Sequence, residues 1–184
     1  MKKRQKPAVT RREFLMISSA STLALLSGCA TDPVTGRKEL MLVSENGEIE
    51  MDREAAPHQF SADYGALQDK DLNAYINRVG DGIALKTHRP NMPYSFRGVN
   101  AVYVNAYTFP GGSAAITRGL LLAMDNEAQL AAILGHEMGH VNARHTAEAM
   151  TGGILVNLAV TGLTMWVESK NEKYAPLAAG LGGL

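Results

Sequence analysis

The stretch of sequence that decides the fold is NEAQLAAILGHEMGHVNARH, residues 126–145. Its first four residues are typical of a helix start, because an Asn side chain can accept the free backbone N–H groups of the first turn. Apolar residues then recur at helical spacing, which predicts one face in the core. These residues are Leu130, Ile133, Leu134, Met138 and Val141. The sequence therefore predicts a single amphipathic helix over residues 126–149.

Two histidines on this helix are four residues apart, so His136 and His140 lie one turn above each other and can direct their ring nitrogens at one ion. Glu137 lies beside them, where its carboxylate can take a proton from the attacking water and pass it to the leaving amine. The pattern predicts one Zn²⁺ per chain and points to a metallopeptidase. The alternative is an accidental match with solvated histidines, which the amphipathic helix around the motif disfavours.

The first 28 residues predict an export signal, because six Lys or Arg precede an apolar run from residue 14 to residue 26 that is too short to span a bilayer. TRREFL, residues 10–15, is typical of twin-arginine export. The alternative is an ordinary basic segment that uses the general secretory route. LSGC, residues 26–29, is similar to the lipobox of bacterial lipoproteins and predicts acylation at Cys29, the only cysteine of the chain.

The predicted lipid anchor holds the domain, residues 29–184, on a membrane surface. Each acyl-chain methylene buried in the bilayer contributes about 0.8 kcal/mol to the free energy of membrane binding. By resemblance to Gram-negative lipoproteins, Ala30 after the cysteine favours the outer over the inner membrane, on the periplasmic side. The residues after position 28 hold 12 basic and 17 acidic side chains, a net charge of about −5. Nucleic acid is therefore excluded as a partner, since phosphate binding depends on clustered Lys and Arg.

Helical and alternating apolar patterns predict an α+β fold, with helices packed on a small β-sheet. The predicted helices run from Ser44 to about residue 56, after Asp69 through Ile83, over the motif, and over the apolar residues 154–167. The predicted strands are Tyr94 to Val99, Ala101 to Tyr107, and Ala114 to Thr117. The apolar residues 154–167 fall short of the length that a membrane span requires, which favours a buried or membrane-touching helix.

Several motifs, taken in order, resemble the bacterial peptidases of family M48 of the periplasmic lipoprotein type. They are DPVTGR (32–37), LMLVS (40–44), VNA (104–106), PGG (110–112), TRGL (117–120), LGHEMGH (134–140) and RH (144–145). The resemblance implies a zincin-like (gluzincin) domain with the HExxH motif on its central helix. It also implies His136 and His140 as metal ligands and Glu137 as the general base.

The third ligand implied by the resemblance is a glutamate on a later helix, in the pattern Glu-x-x-Ala-Asp. This pattern is not found before Leu184, so we expect the peptidase domain to be C-terminally incomplete. Glu172 is a candidate, although Pro176 stands where the pattern has Asp. On one continuous helix His145 lies about 7.5 Å along the axis from His140, and we expect it not to reach the metal.

The resemblance further implies a substrate that lies extended along an edge strand, here Ala101 to Tyr107 or Ala114 to Thr117. Asn105, Gly111 and Gly112 are the candidate residues beside that substrate. The alternatives are an ordinary turn at the glycines and a local backbone hydrogen bond at Asn105. We expect a zinc endopeptidase that acts on unfolded or misassembled envelope proteins. The alternative is a non-catalytic binding lipoprotein or an inactive fragment that lacks the third ligand.

Overall fold

The computed structural model describes residues 29–170, with side chains described from residue 30 to residue 164. The elements in chain order are β1 (Cys29–Thr31), β2 (Lys38–Leu40), α1 (Glu45–Ala62), α2 (Lys70–Ala84), β3 (Ser95–Val99), β4 (Ala106–Thr108), β5 (Ser113–Thr117), α3 (Arg118–Leu122), α4 (Glu127–Asn142) and α5 (His145–Lys170). The predicted α+β class is confirmed. The export signal predicted for residues 1–28 and the candidate ligand Glu172 lie outside the described residues, as does the side chain of Cys29.

A three-stranded sheet forms the centre of the fold, in the order β3-β5-β4. The middle strand β5 runs parallel to β3 and antiparallel to β4. Its side chains alternate between the two faces of the sheet, as the pleat requires. Ala114 and Ile116 pack into a cluster with residues of α2 and α4, whereas Ala115 packs with Ala56 and Phe60 of α1. The sheet therefore lies between α1 on one face and α2 with α4 on the other.

Helix α1 begins after Ser44, whose side chain accepts the N–H of Gly47 at 3.1 Å. It continues to Ala62, beyond the predicted end near residue 56, although it contains Pro57. Proline removes one backbone donor from a helix interior. Burial of Ala56 and Phe60 on either side of Pro57 explains why the helix continues.

The predicted continuous helix over residues 126–149 is wrong, because α4 ends at Asn142 and α5 begins at His145. Arg144 lies between them in the left-handed region, with φ of 54°. The last turn of α4 tightens, and the N–H of Arg144 donates to the carbonyl of Val141 at 3.2 Å. The chain thus turns a corner directly after the motif.

The predicted strand from Ala101 to Tyr107 is also wrong in its bounds, since β4 covers Ala106–Thr108. The carbonyl of Ala101 accepts the N–H of Gly119 at 3.1 Å, and that of Tyr103 accepts the Thr117 hydroxyl at 2.6 Å. These bonds tie the preceding residues to the start of α3 instead of to a neighbouring strand. The other two strands agree with the prediction to within one residue.

The apolar residues 154–167 belong to α5. Several of the apolar side chains described there are exposed, including Val156 at 62% and Leu158 at 63%. The buried alternative is therefore wrong for those residues, whereas the membrane-touching alternative stays a prediction. Within residues 29–170, every helix is too short or too polar to cross a membrane.

Candidate metal centre

Helix α4 positions His136, Glu137 and His140. The side chain of Asn126 accepts the N–H of Gln129 at 3.2 Å and so caps the helix, as the sequence predicts. The opposite face is fixed in the core by Leu130, Leu134 and Met138, each at most 3% exposed. This burial sets the rotation of the helix, which leaves His136 exposed and Glu137 and His140 half-buried.

The two motif histidines face each other through their Nε2 atoms, which are 3.3 Å apart. Their rings are perpendicular, with centroids 4.9 Å apart. A tetrahedral zinc ion with Zn–N bonds of about 2.0–2.1 Å separates two ligating nitrogens by about 3.3–3.4 Å. Imidazole nitrogens are also common zinc ligands, so the donor pair fits the metal in both chemistry and spacing.

A third ligand is not found among residues 30–164, where no three His, Cys, Asp or Glu side chains are grouped to hold one ion. His145 contacts the pair, with its Nδ1 atom 2.8 Å from Nδ1 of His140. The axial spacing expected for His145 is wrong, because the corner at Arg144 brings its ring back toward α4. His140 meets His145 through Nδ1 and His136 through Nε2, and these two nitrogens lie on different sides of the ring. The three histidines therefore do not converge on one ion.

The corner between α4 and α5 is held by a buried ionic cluster. Glu48 is completely buried and accepts hydrogen bonds from Nη2 of Arg89 at 2.8 Å and from Nε of Arg144 at 3.1 Å. Arg144 also donates to the carbonyl of Val43 at 2.8 Å, and Arg89 to that of Val141 at 2.8 Å. Two guanidinium groups thus surround one carboxylate, and Glu45 supplies a second, exposed carboxylate to Arg89. The cluster connects α1 to the end of the motif helix.

Sequence reasoning did not single out Glu48 or Arg89. A signal was present for Glu48, because it precedes Asp52, Ala56 and Phe60 at intervals of four on α1, and all four residues are buried. Positions four apart share one helix face, so the acidic residues at 48 and 52 continue an apolar stripe into the interior. Arg89 lies in a loop and carries no comparable periodicity.

Strand β4 lies against α4 and has an open outer edge, because among the described residues it pairs in the sheet with β5 alone. The N–H groups of Asn105 and Phe109 donate toward β5, to Thr117 at 3.0 Å and to Ser113 at 2.8 Å. Backbone groups alternate in direction along a strand. The N–H groups of Ala106 and Thr108 therefore point to the open edge.

Of the two strands named for the substrate, only the segment that contains β4 retains an open edge, since β5 is paired on both sides. Asn105 is bound to the end of β5 through its backbone, because its carbonyl accepts the N–H of Thr117 at 3.0 Å. The backbone of Asn105 thus makes the local hydrogen bonds that the alternative interpretation expects. Its side chain is exposed, and a contact of that side chain with substrate stays a prediction.

The structure explains why glycine stands at both positions after β4. A Cβ atom on Gly111 would lie 2.5 Å from Cβ of Asp52, so this turn packs directly on α1. Gly112 has φ of 104°, which favours glycine. The N–H of the next residue, Ser113, donates to the Asp52 carboxylate at 2.8 Å. The turn alternative is therefore supported, and a role in substrate approach stays a prediction.

The segment before β4 is anchored by Asp63 at the end of α1. This buried carboxylate accepts hydrogen bonds from the hydroxyl of Tyr103 at 2.7 Å and from that of Tyr107. Burial alone would raise the pKa of Asp63, but hydrogen bonds from Tyr107, Tyr103 and Gln59 bring it below its ordinary value of 3.8. Burial and the Asp63 charge raise the pKa of Tyr107. These contacts fix the approach to the open edge.

A model of peptidase family M48 matches residues 70–180, which are more than half of the chain. The chain belongs to this family. The match includes α2, the three-stranded sheet and α4 with the two histidines. It also extends past residue 170, beyond the described residues.

Curated relatives of this M48 chain come from bacteria and mitochondria. The beta-barrel assembly-enhancing protease of Yersinia pestis is 30% identical over 144 residues, which are 74% of this chain and 30% of that protein. Its counterpart in Escherichia coli is 36% identical over 84 residues, 46% of this chain and 17% of that protein. The mitochondrial metalloendopeptidase OMA1 of Arabidopsis thaliana is 26% identical over 147 residues, 80% of this chain and 29% of that protein. The chain thus spans less than a third of the length of each of these relatives.

Proposed function

We propose that this M48 chain is a zinc-dependent endopeptidase of the bacterial cell envelope, of the zincin-like type with the HExxH motif on its central helix. The observation that carries the proposal is the pair of facing Nε2 atoms of His136 and His140, 3.3 Å apart, with Glu137 on the same helix. The relatives are named as proteases and metalloendopeptidases, which supports the same activity.

In this proposal His136 and His140 hold zinc through Nε2. A glutamate beyond residue 170 would complete the site, and Glu172 is the candidate within this chain. A zinc ion held there would supply Lewis acidity, which would polarise the scissile carbonyl and lower the pKa of water to about 7. Glu137 accepts a proton from the attacking water and then donates it to the leaving amine. Glu137 directly follows His136 on α4, and this neighbouring position supports the proposed role as base.

The substrate main chain is proposed to pair with the open edge of β4. The outward N–H and C=O groups of Ala106 and Thr108 can form hydrogen bonds with an added strand. In this mode of recognition the affinity comes from main-chain hydrogen bonds more than from side chains. A strand can pair there only if the substrate is extended, which favours unfolded segments. Unfolded or misassembled envelope proteins are therefore the proposed substrates.

The location follows from the N-terminal signals predicted from the sequence. Acylation of Cys29 would anchor the domain to the membrane, facing the periplasm, and the residue after it favours the outer membrane. Two of the bacterial relatives are named for the assembly of β-barrels, which supports association with the cell envelope. The net negative charge of the residues after position 28 disfavours nucleic acid as a partner.

A second candidate is a non-catalytic binding lipoprotein or an inactive fragment. The number of candidate metal ligands favours it. Residues 30–164 supply two converging ligand nitrogens, whereas zinc sites normally use at least three protein ligands. Such a protein would still hold extended chains at β4. It would not hydrolyse them.

The two candidates are separated by measuring hydrolysis of an unfolded protein substrate with and without a zinc chelator. Glu137→Gln should abolish hydrolysis while zinc stays bound, because the variant loses the base and keeps both histidines. Glu148→Gln is the matched control, since Glu148 is an exposed glutamate on the neighbouring helix. Hydrolysis that survives in Glu137→Gln would overturn the proposed mechanism. Substrate binding without hydrolysis in the wild type would select the second candidate.

A further inference from the structure

The ring of His140 has two nitrogens, and each faces another histidine. Nε2 faces His136 at 3.3 Å, whereas Nδ1 lies 2.8 Å from Nδ1 of His145. A separation of 2.8 Å between two ring nitrogens is a hydrogen bond and requires one proton between them. Which nitrogen carries that proton determines what Nε2 of His140 can do.

We propose that His145 is a positioning residue for the metal centre, which accepts the Nδ1–H of His140 and thereby keeps Nε2 of His140 free to bind the metal. This inference rests on the proposed function. A neutral imidazole has one protonated nitrogen and one with a free lone pair. If Nε2 binds a metal, the proton must be on Nδ1, and His145 Nδ1 is then the acceptor. Ligating histidines commonly donate their second N–H to a carboxylate, a backbone carbonyl or a water, which also fixes the orientation of the ring; here the imidazole of His145 would take the place of that acceptor.

The position of His145 depends on the corner between α4 and α5. On an uninterrupted helix, residues five apart point in different directions, because the helix turns by about 100° per residue. Arg144 has a left-handed backbone conformation, which changes the direction of the chain immediately before His145. A non-glycine residue in this region costs of order 1 kcal/mol or more. The buried bonds of Arg144 to Glu48 and to the carbonyl of Val43 hold it there.

The start of α5 is also held by hydrogen bonds of Thr151. The hydroxyl of Thr151 donates to the carbonyl of Ala147 at 2.7 Å and accepts the N–H of Leu42 at 3.0 Å. Both Thr151 and Ala147 are buried. The first two turns of α5 are therefore fixed to the segment after β2. The ring of His145 is presented from a rigid element, as a residue that orients a ligand must be.

Asp32 lies near the same ring, in the turn between β1 and β2. Hydrogen bonds from the N–H groups of Val34 and Thr35 lower the pKa of its carboxyl.

The test compares two substitutions of similar size at position 145. In His145→Asn, an amide oxygen stands as many bonds from the backbone as Nδ1 does in histidine and can accept the same proton. In His145→Leu, a methyl group stands there instead. His88→Leu is the control, since His88 is exposed and lies in the loop after α2. The purified full chain is used throughout, and zinc affinity is measured by competition with a chelator at fixed pH.

We expect His145→Leu to weaken zinc binding by about 10- to 100-fold, the usual effect of losing a hydrogen-bond partner of a ligand. His145→Asn should stay within about threefold of the wild type, and His88→Leu should not differ from it. In the zinc-free protein, ¹⁵N NMR of the rings should show His140 protonated at Nδ1 in the wild type and in His145→Asn. This preference should be lost in His145→Leu.

Wild-type zinc affinity in His145→Leu would overturn the positioning role, and so would equally weak binding in His145→Asn and His145→Leu, because the acceptor would then not matter. His136→Ala separates this failure from that of the proposed function. If His136→Ala binds zinc as tightly as the wild type, the metal centre itself is wrong. If His136→Ala loses zinc and His145→Leu keeps it, only the role of His145 fails.

Discussion

The Nε atom of Arg144 lies 3.1 Å and 3.3 Å from the two carboxylate oxygens of Glu48, a residue 96 positions earlier in the chain. Glu48 is fully buried, and the Arg144 side chain is 9% exposed. The contact joins α1 to the corner that follows the histidine motif. The corner beside the candidate metal centre therefore depends on a helix that contributes none of the candidate ligands.

Replacing Glu48 by Ala should destabilise the fold strongly, because two buried guanidinium groups would lose their common carboxylate. Breaking a buried ion pair by removing one partner typically costs about 3–5 kcal/mol. The measurement is urea unfolding of both proteins. Glu50→Ala is the control, since Glu50 lies on the same helix and pairs with Arg53 on the surface, with 63% of its side chain exposed. This control should change the free energy of unfolding by less than about 1 kcal/mol. Equal effects of the two substitutions would contradict the role of the cluster.

Replacing Gly111 by Ala should destabilise the protein by about 1–3 kcal/mol, because the added methyl group meets Asp52 and the backbone of Ile49 at under 3 Å. Gly82→Ala is the matched control, since a Cβ there meets nothing within 4 Å and the residue lies inside α2. The control should stabilise by about 0.5–1 kcal/mol, the helix preference of Ala over Gly. Thermal unfolding of both variants measures the difference. A Gly111→Ala variant as stable as the wild type would show that the turn can move away from α1.

The contribution of Asp63 to stability should depend on pH in a defined direction. Its pKa in the folded state is below the ordinary value of 3.8, so its contribution is present above that value and is lost as pH falls through the folded pKa. The wild type should exceed Asp63→Asn in unfolding free energy near neutral pH. This excess should shrink below pH 3.8. An excess that stays constant under acid would contradict the assignment.

The hydrogen bonds of Tyr103 and Tyr107 to Asp63 predict that this contribution to stability also declines at alkaline pH. The pKa values of Tyr103 and Tyr107 are raised above 10.0, Tyr103 chiefly by its hydrogen bond to Asp63 and Tyr107 chiefly by burial. A raised pKa contributes stability that is present below the unfolded value and is lost as pH rises through the folded one. The excess of the wild type over Asp63→Asn should therefore also decline above pH 10. Urea unfolding over the full pH range measures both limits.

Replacing Ala106 by Pro should reduce hydrolysis of extended substrates while the fold is retained. The N–H of Ala106 points to the open edge of β4, so proline there removes a bond to an added strand and no bond to β5. Ala106→Val keeps the N–H at a similar side-chain size and is the control. The measurement is kcat/KM on a peptide substrate, together with the free energy of unfolding. Equal kcat/KM for the two variants would contradict pairing of the substrate at this edge.

The sequence was sufficient to predict the elements whose signals are local. Helix α4 starts at its predicted cap, and the spacing of His136 and His140 alone predicts that their rings lie on one side of the helix. Both features follow from the helical repeat. Helix α2 and the strands β3 and β5 were predicted for the same reason, because their apolar patterns match their burial.

The end of α4 could not be predicted, because it depends on a contact with α1. Nothing in the residues around Arg144 forces a left-handed conformation, and Ala143 and Arg144 both favour helix. The conformation is stable because Glu48 is buried in front of the guanidinium group. For the same reason the axial spacing of about 7.5 Å expected between His140 and His145 is wrong, because the corner brings the two rings into contact. Strand β4 was overextended in a similar way, since Thr117 and Gly119 bind the carbonyls that a longer strand would use.

The most direct test of the metal centre is the zinc content of the purified full chain, measured by elemental analysis after dialysis against a mild chelator. The wild type and His88→Leu should each retain about one zinc ion per chain, and His140→Ala should retain almost none, because it loses one of the two facing nitrogens. A wild type without zinc, or a His140→Ala variant with as much zinc as the wild type, would contradict the assignment of His136 and His140 as the metal centre.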